Sequence, residues 1–272
     1  MAMDQERLDK AMALVNSGNV EEGIAEFHAL AKTAENPDEK FAAILSEASC
    51  LNSVRRFRDA RSAVERARQI MRYEEAKAYA DKEEAFAYWG EHRYDDALRM
   101  YDEVLSAFPR VMKVSENREL YEFARTERGI VLATLGRAEE ALPLLEDALT
   151  FAISDEKKGD IFYNLGYCFQ IMNQPEKAKS AFEQTLRLCT DPIGILGSRY
   201  NLATIFAKEG AFGKALQELE WCEAHLADGD LPRDYVYGWL VKVLHASGRT
   251  AEAERYRKLM RAAGDGDGHH IS

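Results

Sequence analysis

Six histidines, four cysteines and a few glycine-rich turns are the groups in this chain whose types could do chemistry, and their spacing decides whether they do. The histidines stand at 28, 92, 225, 245, 269 and 270, and none forms the H-E-x-x-H pattern that sets two imidazoles on one helix face for zinc. Cys50, Cys168, Cys189 and Cys222 are separated by 118, 21 and 33 residues, which suits neither metal-ligand pairs nor a disulfide framework. No Ser or Cys lies in a nucleophile motif. Gly210-Ala211-Phe212-Gly213-Lys214 has the glycines and lysine of a phosphate loop without their spacing or the following Ser/Thr, and reads as a turn between helices. Asp265-Gly266-Asp267-Gly268 lacks the ligand series of a calcium loop. These residues point to no enzyme, no cofactor and no metal, and the cysteines read as small buried hydrophobes.

Composition narrows the class. With 17 Gly and 6 Pro in 272 residues, a disordered, collagen-like or loop-heavy β chain is excluded, and 46% apolar residues support a packed core. The net charge of −11 repels phosphate and argues against a nucleic-acid partner. Met1–Lys10 carries acids and no apolar centre, so it does not read as a signal peptide, and no apolar run approaches the ~18 residues of a membrane span. A reducing cytoplasm is the expected compartment.

The elements that position these residues come from an internal repeat. A small residue is followed three residues later by a large apolar one, nine later by a small one, four later by a large one and three later by a small one. The first position is Ala11, Ala48, Ala85, Gly129, Gly166, Ala203 and Val241, and the third is Gly23, Ala60, Ala97, Ala141, Ala178, Ala215 and Ala253. Successive copies are offset by 37, 37, 44, 37, 37 and 38 residues. Offsets of three, four and seven are helical, so each copy is helix, turn, helix, with small residues where two backbones cross closely. The turns read Ser17-Gly18-Asn19, Leu135-Gly136-Arg137, Met172-Asn173-Gln174, Glu209-Gly210-Ala211 and Ser247-Gly248-Arg249. Gly or Asn there can take the left-handed conformation that ends a helix. Pro37, Pro109, Pro192 and Pro232 fall between copies and Pro175 at the start of a second helix; Pro143 falls about one turn inside a helix and should loosen one bond. No Gly, Pro or Asn marks the break expected near Arg72–Glu75. The seven extra residues near Arg110–Leu120 fit either a longer helix or a loop.

Tyr163-Asn164-Leu165-Gly166-Tyr167 with Lys177-Ala178 and Ala181-Phe182, Tyr200-Asn201-Leu202-Ala203 with Lys214-Ala215, and Glu139-Glu140-Ala141-Leu142-Pro143-Leu144 resemble the tetratricopeptide repeat (TPR) family. The resemblance implies an all-α, right-handed superhelical solenoid, one array over residues 4–263 with copies at 4–40, 41–77, 78–121, 122–158, 159–195, 196–233 and 234–263, and a disordered tail at 264–272. Two departures stand out. The copies are three residues longer than the family's ~34. Before the first small position, where the family favours Leu, copies five to seven have Leu165, Leu202 and Leu240, but copies one to four have Lys10, Glu47, Glu84 and Arg128. The basic residues Arg255, Arg257, Lys258 and Arg261 read as the polar cap of the last helix.

A second stripe on the first helices carries the functional expectation. It comprises Tyr79, Lys82, Phe86 and Trp89 in copy three, and Tyr163, Asn164, Tyr167 and Gln170 in copy five. Tyr200, Asn201 and Lys208 continue it in copy six, and Tyr235, Trp239 and Lys242 in copy seven. The resemblance implies that this face lines a concave groove for an extended peptide or helix; the bland alternative is that the aromatics pad neighbouring helices. Aromatics give contact area with few rotors, and Asn can bond a backbone N–H and C=O together. In family members that clamp a chaperone's C-terminal carboxylate, Lys and Arg stand where this chain has Tyr163, Tyr167, Tyr235 and Trp239, which argues against such a clamp. The expectation is a protein–protein interaction scaffold or adaptor. The alternatives are a peptide-sensing regulator that changes shape, or an architectural subunit docked through its convex face.

Overall fold

The positive-φ residues set the rhythm of the chain. Gly18, Arg55, His92, Gly136, Asn173, Gly210 and Gly248 all have φ between 55° and 87°, one in the turn between the two helices of each copy. A left-handed residue at a helix end lets the next N–H bond back to an open carbonyl. Asn19 N bonds Leu14 O at 2.9 Å, Arg56 N bonds Leu51 O at 2.8 Å and Arg93 N bonds Tyr88 O at 2.8 Å. Five of these turns carry the Gly or Asn that announces them. Arg55 and His92 adopt the same conformation against the steric cost of their Cβ, so the turns of copies two and three have no such signal in the sequence.

In this computed structural model, residues 2–226 and 231–264 are described, and among them are fourteen helices and no strand. They are α1 (Ala2–Asn16), α2 (Val20–Thr33), α3 (Pro37–Ser53), α4 (Phe57–Ile70), α5 (Glu74–Gly90), α6 (Tyr94–Ala107), α7 (Arg118–Thr134), α8 (Ala138–Phe151), α9 (Asp155–Ile171), α10 (Pro175–Leu188), α11 (Pro192–Lys208), α12 (Phe212–Ala224), α13 (Arg233–Ala246) and α14 (Thr250–Gly264). The 37-residue period is a 17-residue helix, a three-residue break, a 14-residue helix and another three-residue break, as in α3–α4. The seven extra residues are loop: ten residues, 108–117, separate α6 from α7. Met71–Tyr73 part α4 from α5 without Gly, Pro or Asn. Pro37, Pro175 and Pro192 each open a helix, where a missing N–H costs nothing, and α8 continues through Pro143. Asn36, Ser154 and Asp191 cap α3, α9 and α11 through their side chains. From Asp265 onward the expected tail lies outside the described residues.

The chain forms two compact units, Met1–Phe151 and Ala152–Ser272. In the first, each helix packs on the next from α1 to α8, and the first helices of the copies also meet, α1 on α3, α3 on α5 and α5 on α7. Phe27, Leu30, Val64, Tyr101, Leu132 and Leu145 are fully buried there. In the second, α9 to α14 pack in sequence, with α9 on α11 and α11 on α13, around Ile161, Phe182, Leu196, Leu219, Leu240 and Leu244.

The polar departures before the small positions have a packing explanation. Lys10 pairs with Glu26 at 3.1 Å, Glu47 with Arg66 at 2.8 Å, Glu84 with Arg68 at 2.5 Å and Arg128 with Asp102 at 2.7 Å. Each joins a first helix to an adjacent second helix. In the second unit Leu165, Leu202 and Leu240 are buried at the same register. Ion pairs thus stand in the first unit where apolar contact stands in the second.

Candidate functional site

Positions along the first helices decide which face each side chain joins. In the first unit, Met12 and Val15 of α1, Leu45, Ser46, Ser49, Cys50 and Ser53 of α3, and Tyr79 and Glu83 of α5 line a hollow of about 330 Å³. The Tyr79 hydroxyl donates to Asn117 Oδ1 at 2.6 Å, which ties α5 to the loop before α7. Lys82 sits on the Glu83 carboxylate at 2.8 Å and 4.9 Å over the Phe123 ring. Phe86 contacts Trp89 (ring centroids 5.4 Å apart) and Phe123 (6.5 Å). Lys82 and Phe86 therefore pack sideways onto α7, while Tyr79 reaches the hollow and Trp89 a neighbouring cavity.

The second unit shows the same division. The Tyr163 ring lies against Phe182 with centroids 6.0 Å apart and covers Gly197, where a Cβ would come within 2.9 Å of the ring. Its hydroxyl meets Asn201, that of Tyr200 meets Trp239, and burial pushes both phenols upward. Gln170 Nε2 donates to Thr204 Oγ1 at 3.0 Å. Asn164 and Asn201 each donate to the carbonyl four residues back, Asp160 O at 2.8 Å and Gly197 O at 2.9 Å. Tyr163, Tyr200, Trp239 and Gln170 thus join α9, α11 and α13 to one another. Tyr167, Tyr235, Lys208 and Lys242 remain exposed, Lys242 with its ammonium 4.6 Å over Trp239.

Four participants were not singled out from the sequence. Phe123 and Gly197 share the register of Tyr79 and Tyr235, and Asn52 shares that of Trp89 and Gln170, so the repeat itself carried the signal for these three. Glu83 carried none. It is buried and accepts from Asn52 Nδ2 at 3.1 Å, a bond that depends on how α3 meets α5.

The chemistry-bearing groups are engaged in structure. His28 meets Glu47 at 2.9 Å, His92 meets the Tyr94 hydroxyl at 2.9 Å and His225 meets Trp221 O at 2.8 Å. All four cysteines are free and buried. Among the described residues, Glu156, Asp160 and Cys189 bring three possible metal ligands within 4.8 Å of one another. The Glu156 carboxylate, however, already accepts from Thr190 N (2.8 Å), Thr190 Oγ1 (2.9 Å), Asp191 N (2.9 Å) and Cys189 Sγ (3.2 Å). It is a tie from α9 to the start of α11. Desolvation, with the Glu156 bond second, pushes the Cys189 thiol up to about 12, so it keeps its proton.

Those same donors, led by Thr190 N–H, hold the Glu156 carboxyl at about 2, below its ordinary 4.5. A depressed carboxyl stabilises the fold fully above the unfolded value and loses that contribution as pH falls through the folded one. Glu156→Gln should therefore be less stable than wild type near pH 6, and the gap should close between about pH 4.5 and 2. Urea titrations followed by circular dichroism at several pH values test this. A gap independent of pH would show that the charge is not what the donors hold.

The tetratricopeptide repeat family model matches residues 122–191. That segment is similar to the tetratricopeptide repeat and spans about a quarter of the chain. No curated protein matches this chain. Among solved structures, the apo form of RapI aligns over 98% of this chain and 77% of its own, at 14% identity and a TM-score of 0.72. The apo form of the quorum sensor NprR from B. thuringiensis aligns over 94% and 86%, at 16% identity and a TM-score of 0.66. A tetratricopeptide repeat protein from Parabacteroides merdae aligns over 96% and 93%, at 14% identity and a TM-score of 0.61. At such identities the likeness is one of fold, and it places this chain among all-α, TPR-like solenoids. The fold class generally serves protein or peptide binding without catalysis. No helix of the described residues is long and apolar enough to cross a membrane.

Proposed function

We propose that this chain is a protein–protein interaction scaffold that holds a partner peptide or helix on the faces built by its first helices. The observation that carries this reading is the hollow of about 330 Å³ spanning α1, α3 and α5, because three successive copies contribute to one recess. The exposed Tyr167 and Tyr235 support it on the second unit, since large amphipathic side chains left in water are typical contact anchors. Asn164 adds an amide oxygen to the same face, its Nδ2 being held by Asp160 O. Four free, buried thiols fit a cytoplasmic setting.

Affinity capture from cell lysate with mass spectrometry tests the proposal, using wild type beside Met12→Ala/Tyr79→Ala and Asn164→Ala/Tyr167→Ala/Tyr235→Ala. The captured set should be depleted at least about five-fold in one variant, which corresponds to ~1 kcal/mol or more for the variant as a whole. Unchanged capture by both, with helicity intact, would overturn the groove and favour docking through other faces.

A further inference from the structure

The turn between α3 and α4 reads Arg55-Arg56-Phe57-Arg58. Arg56 is spent on Asp59 at 2.8 Å and Glu21 at 3.3 Å, and the next arginines, Arg61, Arg66 and Arg68, all hold carboxylates. Arg55 and Arg58 are exposed and, among the described residues, neither has an ion-pair partner. Two guanidinium groups three residues apart are thus left open among the described residues, on a chain whose net charge is −11.

Between them Phe57 lies across the end of α5. Gly90 permits this, for a Cβ there would come within 2.2 Å of the ring. Phe57, Phe86 and Trp89 line a cavity of about 290 Å³, with Arg55 on its wall, and Arg55, Phe57 and Arg58 line a second, shallower hollow beside it. Asn52 also lines the cavity and is itself buried. Its Nδ2 donates to Glu83 O at 3.0 Å and Glu83 Oε2 at 3.1 Å, while its Oδ1 is buried without a donor. A buried acceptor left open is one that an N–H entering the cavity could satisfy.

We propose that this turn edge of the first unit binds an acidic peptide segment that inserts one large apolar side chain. The side chain fills the cavity against Phe57, Phe86 and Trp89. Carboxylates on either side of it meet Arg55 and Arg58, and a peptide N–H supplies the donor that Asn52 Oδ1 lacks. The surface is defined by the helix-to-helix turns of copies two and three and adjoins the hollow assigned to the scaffold function, Ser53 lining both, and its ligand is specified by charge as well as by shape. Arginine at position 55 keeps a left-handed backbone where Gly18, Gly136, Gly210 and Gly248 do so freely, which accords with a side chain retained for contact.

The test uses the full chain and two peptides labelled with fluorescein at the N-terminus and amidated at the C-terminus, Asp-Glu-Phe-Asp-Glu and Lys-Arg-Phe-Lys-Arg, read by fluorescence anisotropy. The acidic peptide should bind at least about ten-fold more tightly than the basic one, and its affinity should fall as salt rises. Arg55→Glu/Arg58→Glu should reduce it by about ten-fold or more. Arg55→Gly/Arg58→Ala should reduce it too, although glycine relieves the turn, which separates lost charge from lost folding. Equal binding of the two peptides, no saturation at millimolar concentration, or unchanged affinity in both variants would overturn the proposal. So would binding that disappears in Asn164→Ala/Tyr167→Ala/Tyr235→Ala and survives in the arginine variants. Those three substitutions lie on the second unit, so failure at the turn edge and failure of the scaffold reading are separate results.

Discussion

Replacing Phe182 by Ala is expected to destabilise the second unit by about 3–5 kcal/mol. Phe182 is fully buried at the crossing of α9 and α10, and three features show how closely its ring is held. Gly166 faces it so directly that a Cβ would lie 2.6 Å from the ring, Tyr163 packs against it at 6.0 Å, and Ala178, Leu202 and Ile205 complete its cluster. Removing the ring leaves a void between the two helices of one copy and the first helix of the next, and a packed interior collapses only partly around such a void. Trp221 and Trp239 are the tryptophans of this unit, so urea unfolding followed by fluorescence in a Trp89→Phe background reads it selectively. Phe182→Leu should recover about half of the loss. A cost below about 1 kcal/mol for Phe182→Ala would mean that the crossing is held elsewhere.

The second large effect is electrostatic. Arg68 of α4 donates to Asp81 Oδ1 at 2.6 Å and Glu84 Oε2 at 2.5 Å on α5, and the Asp81 side chain is only 2% exposed. Arg68→Met keeps most of the packing volume but leaves Asp81 with Lys77 as its single cation, at 2.6 Å, and leaves Glu84 with none of the ion pairs it had. Stripping one partner from a buried pair costs about 3–5 kcal/mol; with Lys77 retained, the expected cost is at the low end, about 3 kcal/mol. Hydrogen exchange should show faster opening of α4 and α5 before the rest of the first unit. Adding Asp81→Asn and Glu84→Gln should restore more than half of the stability, because neutral groups do not need the guanidinium. If the triple variant is no better than Arg68→Met, the arginine acts through packing of its stem instead of its charge.

These two sites differ in how far sequence alone could locate them. Phe182 is visible as the large member of the repeat beside Gly166 and Ala178, because the period fixes which residues face each other across a helix pair. Arg68 is not. It occupies no repeated position, and its value depends on the way α5 brings Asp81 and Glu84 to it. The polar residues Glu47, Glu84 and Arg128 look like interruptions of the pattern, and their partners His28, Arg66, Arg68 and Asp102 become evident only when second helices are laid beside first ones. The stripe of candidate contact residues was likewise half legible. Its register along the helices follows from periodicity, and Phe123 and Gly197 were within reach of the same register. Which of its members are spent on neighbours was not: Tyr163 is taken up because Gly197 leaves a place for its ring, while Tyr167, one turn on, stays exposed.

By itself, the sequence determined the helix-turn-helix repeat, its 37-residue period and the positions of most breaks. Those properties are local: small residues recur at helical spacing, prolines stand where a helix can start or must stop, and Gly or Asn accepts a left-handed turn. Tertiary structure alone decided the rest. It set Arg55 and His92 in left-handed turns without a glycine, made the 108–117 segment a loop, turned Glu156 into a tie for α11, and left Arg55 and Arg58 without an ion-pair partner among the described residues, beside a largely apolar cavity. The reason is physical. A residue's spacing tells which side of its own helix it lies on, whereas its charge balance, burial and free hydrogen-bonding capacity depend on residues brought near from other copies.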